Sequence, residues 1–135
     1  MSAPRRASVR REVRIGAPAA AAWALVGDPS RLAEWFPGIS SCAVEGDLRT
    51  IVTGAGLAIE ERLVTIDPLQ RRFQYAITAS IVREHLSTID VVDLGDGSCL
   101  AVYSVDADPS LMALVIGGAG GNALCHLRDL LEGAG

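Results

Sequence analysis

An α+β fold, a curved antiparallel sheet of about seven strands wrapped round a long C-terminal helix with two short helices after the first strand, is what this sequence predicts. Three observations carry that expectation. One strand is followed at once by two short segments that each open on proline. A run of turn-punctuated strands then extends from Ile39 to Asp106. The chain closes on leucines at helical spacing.

Taken in order, Ser8–Ile15 alternates as a strand does. Ala17-Pro18 opens a helix with proline in its first turn, the alanine-rich stretch through Trp23 and Val26 continues it, and Gly27 is placed to end it. Asp28-Pro29 starts a second short helix with an acidic cap and a proline, and Pro37-Gly38 stops it. Gly46-Asp47, Gly54-Ala55-Gly56, Asp67-Pro68 and Gly95-Asp96-Gly97 are turn signals that divide the next region into about six strands. Connections that short join antiparallel strands, because parallel ones need long crossovers.

Asp108-Pro109 repeats the cap-plus-proline device and should begin a last helix ending near Glu132. Leu124, Leu127 and Leu131 share one face, which continues backwards through Gly120, Gly117 and Ala113. Two readings stay open there. The glycines break the helix around Gly117–Gly121, or they keep it slim so that space remains between helix and sheet.

Length and composition exclude several classes. A chain of 135 residues suits one domain able to bury roughly two-thirds of its unfolded surface, and 50% hydrophobic residues exclude a disordered chain. The expected division is a flexible basic tail over residues 1–7 and a single domain over 8–132. A net charge of −4 is a poor match to a polyanion, so no nucleic-acid partner is expected. All 12 cations are arginine, which removes Schiff-base chemistry and the phosphate-gripping lysine of a P-loop.

Arg5, Arg6, Arg10, Arg11 and Arg14 crowd the first 14 residues; a short nucleic-acid-binding arm is one reading, and a solvated tail running into an edge strand is the favoured one. Cys42, Cys99 and Cys125 form no C-x-x-C pair and read as reduced thiols. No signal-peptide profile opens the chain, and Pro109–Leu124 is read as too short and glycine-rich for membrane insertion. The expected location is cytoplasmic.

Strand, two helices, antiparallel meander and terminal helix, in that order, make the helix-grip arrangement. The residues Ala17-Pro18, Trp23, Val26-Gly27-Asp28, Trp35-Phe36-Pro37-Gly38-Ile39, Glu45-Gly46 and Arg49 resemble those of the START-like (SRPBCC) superfamily. Glu61-Arg62-Leu63 with Asp67, Tyr75-Ala76-Ile77 and the leucine-rich final helix extend the resemblance from about Ser8 to Leu131. It is nearest to the polyketide cyclase/dehydrase and lipid-transport branch. The resemblance implies a cavity for a hydrophobic small molecule such as a lipid, polyketide or isoprenoid, with Trp35 and Phe36 closing one end; core packing is the other reading of these two rings.

The strand pattern supplies a local inference. If the Gly54-Ala55-Gly56 loop is symmetric about Ala55, Ile51 faces Ile59 and Arg49 faces Glu61 across the hairpin, pairing like with like and opposite charges together. Glu61 shares its face with Ile59 and Leu63, so Arg49 and Glu61 are expected on the cavity side; the opposite phase, with Arg62 inward beside Val64 and Ile66, stays open. The pair either ties two strands together or binds a polar ligand head and biases a proton transfer.

His85 is an acid–base candidate by its intrinsic pKa, although a lone histidine at a strand start is more often exposed. Glu61, Arg49 and His85 are therefore the candidate catalytic groups. Ile39, Ile59, Tyr75, Ile77, Tyr103, Met112, Ile116 and Gly120 join Trp35 and Phe36 as candidate ligand contacts.

No metal site or cofactor is expected, since Cys125 and His126 point about 100° apart on a helix. Gly118-Ala119-Gly120-Gly121-Asn122-Ala123 fits G-x-G-x-x-A, but only 12 residues of the 135 follow it, too few for a dinucleotide fold. Three functional classes stand: a hydrophobic-ligand binding or transport module, a polyketide cyclase/dehydratase-type enzyme, and a regulatory or partner-binding domain. The last would pair, as a homodimer for example, through its basic N-terminal segment or sheet edges.

Overall fold

In a computed structural model, which describes residues 6–133, the chain forms seven strands and three α-helices. Residues 1–5, most of the expected tail, lie outside the described residues. The strands are β1 (Ala7–Ile15), β2 (Ile39–Glu45), β3 (Leu48–Thr53), β4 (Ala58–Asp67), β5 (Arg72–Ile77), β6 (Glu84–Asp93) and β7 (Cys99–Asp108). They make one antiparallel sheet in the order β1-β7-β6-β5-β4-β3-β2, a meander closed at one edge by the first strand. The sheet curves round a single long helix in the helix-grip arrangement expected from the element order.

Helix α1 (Ala19–Val26) begins one position later than its proline suggested: Pro18 is extended and occupies the cap. Gly27 does end it, and a Cβ there would stand 2.4 Å from the Trp23 indole, so only glycine lets the ring fold over the helix terminus. The Asp28 side chain caps the next turn by accepting from Ser30 N–H at 3.0 Å, and Pro29–Arg31 then leads into α2 (Leu32–Trp35). The predicted cap at Asp108 is not one. Asp108 ends β7, and its carboxylate accepts from the Arg83 guanidinium instead.

Helix α3 (Ser110–Gly133) is unbroken through its glycines. Ala113, Gly117, Gly120, Leu124 and Leu127 are buried along one face, against β1 and β7. The reason for the small residues differs from the expectation. A Cβ at Gly117 would lie 2.7 Å from Val9 Cγ1, and one at Gly120 would lie 2.9 Å from the Tyr103 ring. The glycines therefore bring helix and sheet into contact rather than hold them apart.

By length and composition alone α3 could cross a membrane, and 39% of its apolar window is buried inside the domain. Two polar contacts pin its C-terminal half. His126 Nδ1 donates to the Trp35 carbonyl at 2.9 Å, and Glu132 accepts from Gly16 N–H at 2.8 Å. The interior beneath this half is solid, filled by Ile15, Tyr103, Leu124 and Leu127.

Candidate functional site

Space remains at the other half of the helix. Because α3 rests on β1 and β7, the sheet beyond β6 curves away from its first turns, and a half-open cleft of about 340 Å³ lies there. That volume is near the lower end for small-molecule sites. Phe36–Ile39 forms its corner, Ile51, Ile59 and Ile77 its sheet floor, and Met112, Val115, Ile116 and Ala119 its helical wall. Thr53, Glu61 and Tyr75 are its hydrogen-bonding side chains. The sequence reading expected an enclosed interior cavity; the cleft instead opens beside exposed Ile81 and Val115.

The hairpin register places the charged pair. Arg49 pairs with Glu61 and Ile51 with Ile59 across β3 and β4, which leaves Arg62 exposed on the far face. Arg49 is 1% exposed and Glu61 3%, and Arg49 Nε donates to Glu61 Oε1 at 2.7 Å. Only Glu61 of the two lines the cleft.

The Arg49 guanidinium sits behind the carboxylate, its Cζ 5.2 Å from the Phe73 ring centre and 5.1 Å from that of Tyr75. Nη1 donates to the Pro29 carbonyl at 3.3 Å, while Nη2 is buried with no hydrogen-bond partner. The electron-rich ring faces offset part of the cost of that orphaned donor. Burial pushes the Glu61 carboxyl up from the usual carboxylate range, against the pull of Arg49.

A second polar chain runs away from the cleft. Tyr75 lines the cleft, and its hydroxyl hydrogen-bonds to that of Tyr103. Tyr75 is pushed up to about 12, by burial first and then by the Glu61 charge, and burial likewise holds Tyr103 well above its ordinary value. Both phenols thus stay neutral across the physiological range.

His85 is not exposed, as a strand-start position suggested, but buried against Tyr75 with ring centres 5.5 Å apart. Its Nδ1 accepts from Ile77 N–H at 2.8 Å, so Nε2 carries the proton and donates to Ser87 Oγ at 2.7 Å. Burial brings its pKa down to about 4, slightly opposed by Asp106. It lines a separate surface hollow with Arg6, Glu84, Leu86 and Asp106, not the cleft.

The expected contacts divide accordingly. Phe36, Ile39, Ile59, Tyr75, Ile77, Met112 and Ile116 come together in the cleft wall. Trp35, Tyr103 and Gly120 do not. Trp35 and Tyr103 are each 1% exposed within the core, and Gly120 is pressed against the Tyr103 ring. Val115, Ala119, Ile51, Thr53 and Ile81 line the cleft and were missed as contacts. For the helical pair a signal existed: Val115 and Ala119 lie three residues from Met112 and Ile116 and so share their face. Among the described residues no group of three or more His, Cys, Asp or Glu side chains is placed to hold a metal ion.

Comparison with known proteins accords with this geometry. Residues 6–132 match the family described as "Polyketide cyclase / dehydrase and lipid transport". An uncharacterised protein of Bacillus thuringiensis superposes with TM-score 0.86 at 24% identity, over 93% of this chain and 98% of its own. A Thermobifida fusca protein gives TM-score 0.77 at 29% identity, over 92% of each chain. Norcoclaurine synthase of Thalictrum flavum, in complex with a transition-state analogue, gives 0.77 at 16% identity over 99% of both chains, a likeness of fold. No curated protein sequence matches the chain significantly.

Proposed function

Since the chain belongs to the polyketide cyclase / dehydrase and lipid transport family, we propose that it binds a small hydrophobic molecule in the cleft between the sheet and the first half of α3. The observation that carries this reading is the composition of the cleft wall. Isoleucines from β2, β3, β4, β5 and α3 converge on it, with Glu61 the one charged side chain among the described residues that line it. Apolar walls supply affinity by removing hydrocarbon from water, at about 25 cal/mol per Å² buried, and the few polar groups set orientation. Carriage in a reducing cytoplasm is the setting we favour, with Cys42, Cys99 and Cys125 as free thiols.

A second reading, a cyclase or dehydratase, is favoured by one observation: Glu61 meets the cleft with its carboxyl pushed up by burial. A carboxylate of raised pKa takes protons better than an ordinary one. Tyr75, held neutral beside it, would then be a hydrogen-bond donor to a carbonyl.

Native mass spectrometry of freshly purified protein tests the proposal. A one-to-one adduct of an apolar molecule, lost when Ala119→Trp fills the cleft, is the expected result. A recovered aromatic polyketide precursor favours turnover, whereas a fatty alcohol or isoprenoid favours carriage. An adduct that survives Ala119→Trp unchanged contradicts the cleft as its site.

A further inference from the structure

Building on the reading that the cleft holds a small hydrophobic molecule, we infer that this molecule carries a neutral hydroxyl at its buried end, donated to the Glu61 carboxylate, and that carboxylate and ammonium heads are discriminated against. The asymmetry of the buried ion pair carries the inference. A molecule entering from the cleft meets Glu61 and not Arg49, because the guanidinium lies behind the carboxylate, by the Phe73 and Tyr75 rings. Arg49 occupies Oε1, and Oε2 takes none of the side-chain hydrogen bonds among the described residues.

The remaining polar side chains of the wall are neutral hydroxyls, each with one hydrogen bond inside the protein. The Tyr75 hydroxyl is bonded to Tyr103, and Thr53 Oγ1 accepts from Leu57 N–H at 3.2 Å. Among the described residues, Glu61 Oε2 is the one charged acceptor at the cleft, and it calls for a donor.

Charge decides which donor. Arg49 and Glu61 balance each other, both almost wholly out of water. An incoming carboxylate would set a second anion against Glu61 where water cannot screen it, and cannot reach Arg49 without displacing Glu61. An ammonium would bond to Glu61 but leave two cations sharing one anion. A hydroxyl adds a hydrogen bond to a charged acceptor and leaves the balance intact. A bond of that kind is worth on the order of tenfold to a hundredfold in affinity.

Calorimetric titration at pH 7 with 1-octanol, its non-donating isostere heptyl methyl ether, octanoate and octylammonium tests this. The expected order places 1-octanol about tenfold or more ahead of each of the others. Ether, octanoate or octylammonium binding as tightly as the alcohol overturns the inference while leaving the hydrophobic-ligand reading in place. If none of the four binds, both fall. Glu61→Gln, which leaves Arg49 as the uncompensated charge, should reverse the order so that octanoate overtakes 1-octanol; an unchanged order counts against the inference. Where that variant fails to fold, Arg49→Met/Glu61→Leu removes both charges, and alcohol and ether should then bind alike. A retained alcohol preference in that double variant overturns the inference.

Discussion

Arg49 and Glu61 face each other across β3 and β4 with Nε 2.7 Å from Oε1, and both side chains are buried. Such a pair adds little net stability, because desolvation of both ions consumes most of their attraction, but each ion becomes a burden once the other is gone. Arg49→Met should therefore cost about 3–5 kcal/mol in a denaturant titration, and Arg49→Met/Glu61→Leu should recover most of it. A single variant within about 1 kcal/mol of the wild type would mean that water enters freely and that the pair behaves as a surface one.

The glycines of α3 make a prediction of opposite signs within one turn. Gly118→Ala places a methyl in open space and should stabilise by about 0.5–1 kcal/mol through helix propensity. Gly120→Ala meets the Tyr103 ring at 2.9 Å and should destabilise despite the same propensity gain, by about 1–3 kcal/mol. Thermal unfolding of the two variants checks the signs. Equal stabilisation by both would show that helix and sheet do not touch at Gly120.

His85 sets an acid dependence. Its pKa falls from 6.5 to about 4 on folding, so protonation favours the unfolded chain. Its contribution is fully present above pH 6.5 and is lost as the pH drops towards 4, by roughly 3 kcal/mol in all. Glu61 acts in the opposite sense. Its pKa is raised on folding, so its contribution is greatest below 4.5, its unfolded value, and declines as the pH climbs through the folded one. Subtracting the profile of His85→Gln isolates the histidine. The difference in unfolding free energy should shrink between pH 6.5 and 4, and a flat difference would mean that His85 is solvated.

Ala119 separates binding from folding. It lines the cleft and is exposed, off the packed face of Gly120, Leu124 and Leu127. Ala119→Trp should lower the affinity for 1-octanol at least about tenfold, by occupying the space, while the melting temperature stays close to that of the wild type. Unaltered calorimetric affinity would place the ligand elsewhere.

The path from residues to fold was short where local chemistry and topology agreed. Hairpin-length turns dictated an antiparallel meander, and the Gly54–Gly56 loop set the register that joins Arg49 to Glu61. The apolar side of Ile59 and Ile77 followed from strand alternation. What the pattern could not fix was depth. The same face of α3 that carries Leu124 also carries Gly117 and Gly120, and small residues there suit a gap or a close approach equally well. Only the position of Val9 and Tyr103 opposite them decides for contact.

His85 was obscured for a related reason. Its burial depends on the Tyr75 ring and on Ile77 N–H, groups from a neighbouring strand that its own sequence context does not show. Trp35 entered the expected site through the family resemblance and Tyr103 through its hydroxyl, but large aromatic side chains are also what a solid core requires, and both fill it.

The central claim, that an apolar molecule enters the half of the interior left open by α3, is tested most directly by methyl-resolved NMR with 1-octanol. Intermolecular nuclear Overhauser effects to the methyl groups of Ile59, Ile77, Met112 and Ile116, with none to those of Val105, Leu124 or Leu127, are the predicted result. Effects confined to the outward-facing methyls of Leu111 and Leu114, with the cleft isoleucines silent, would contradict it.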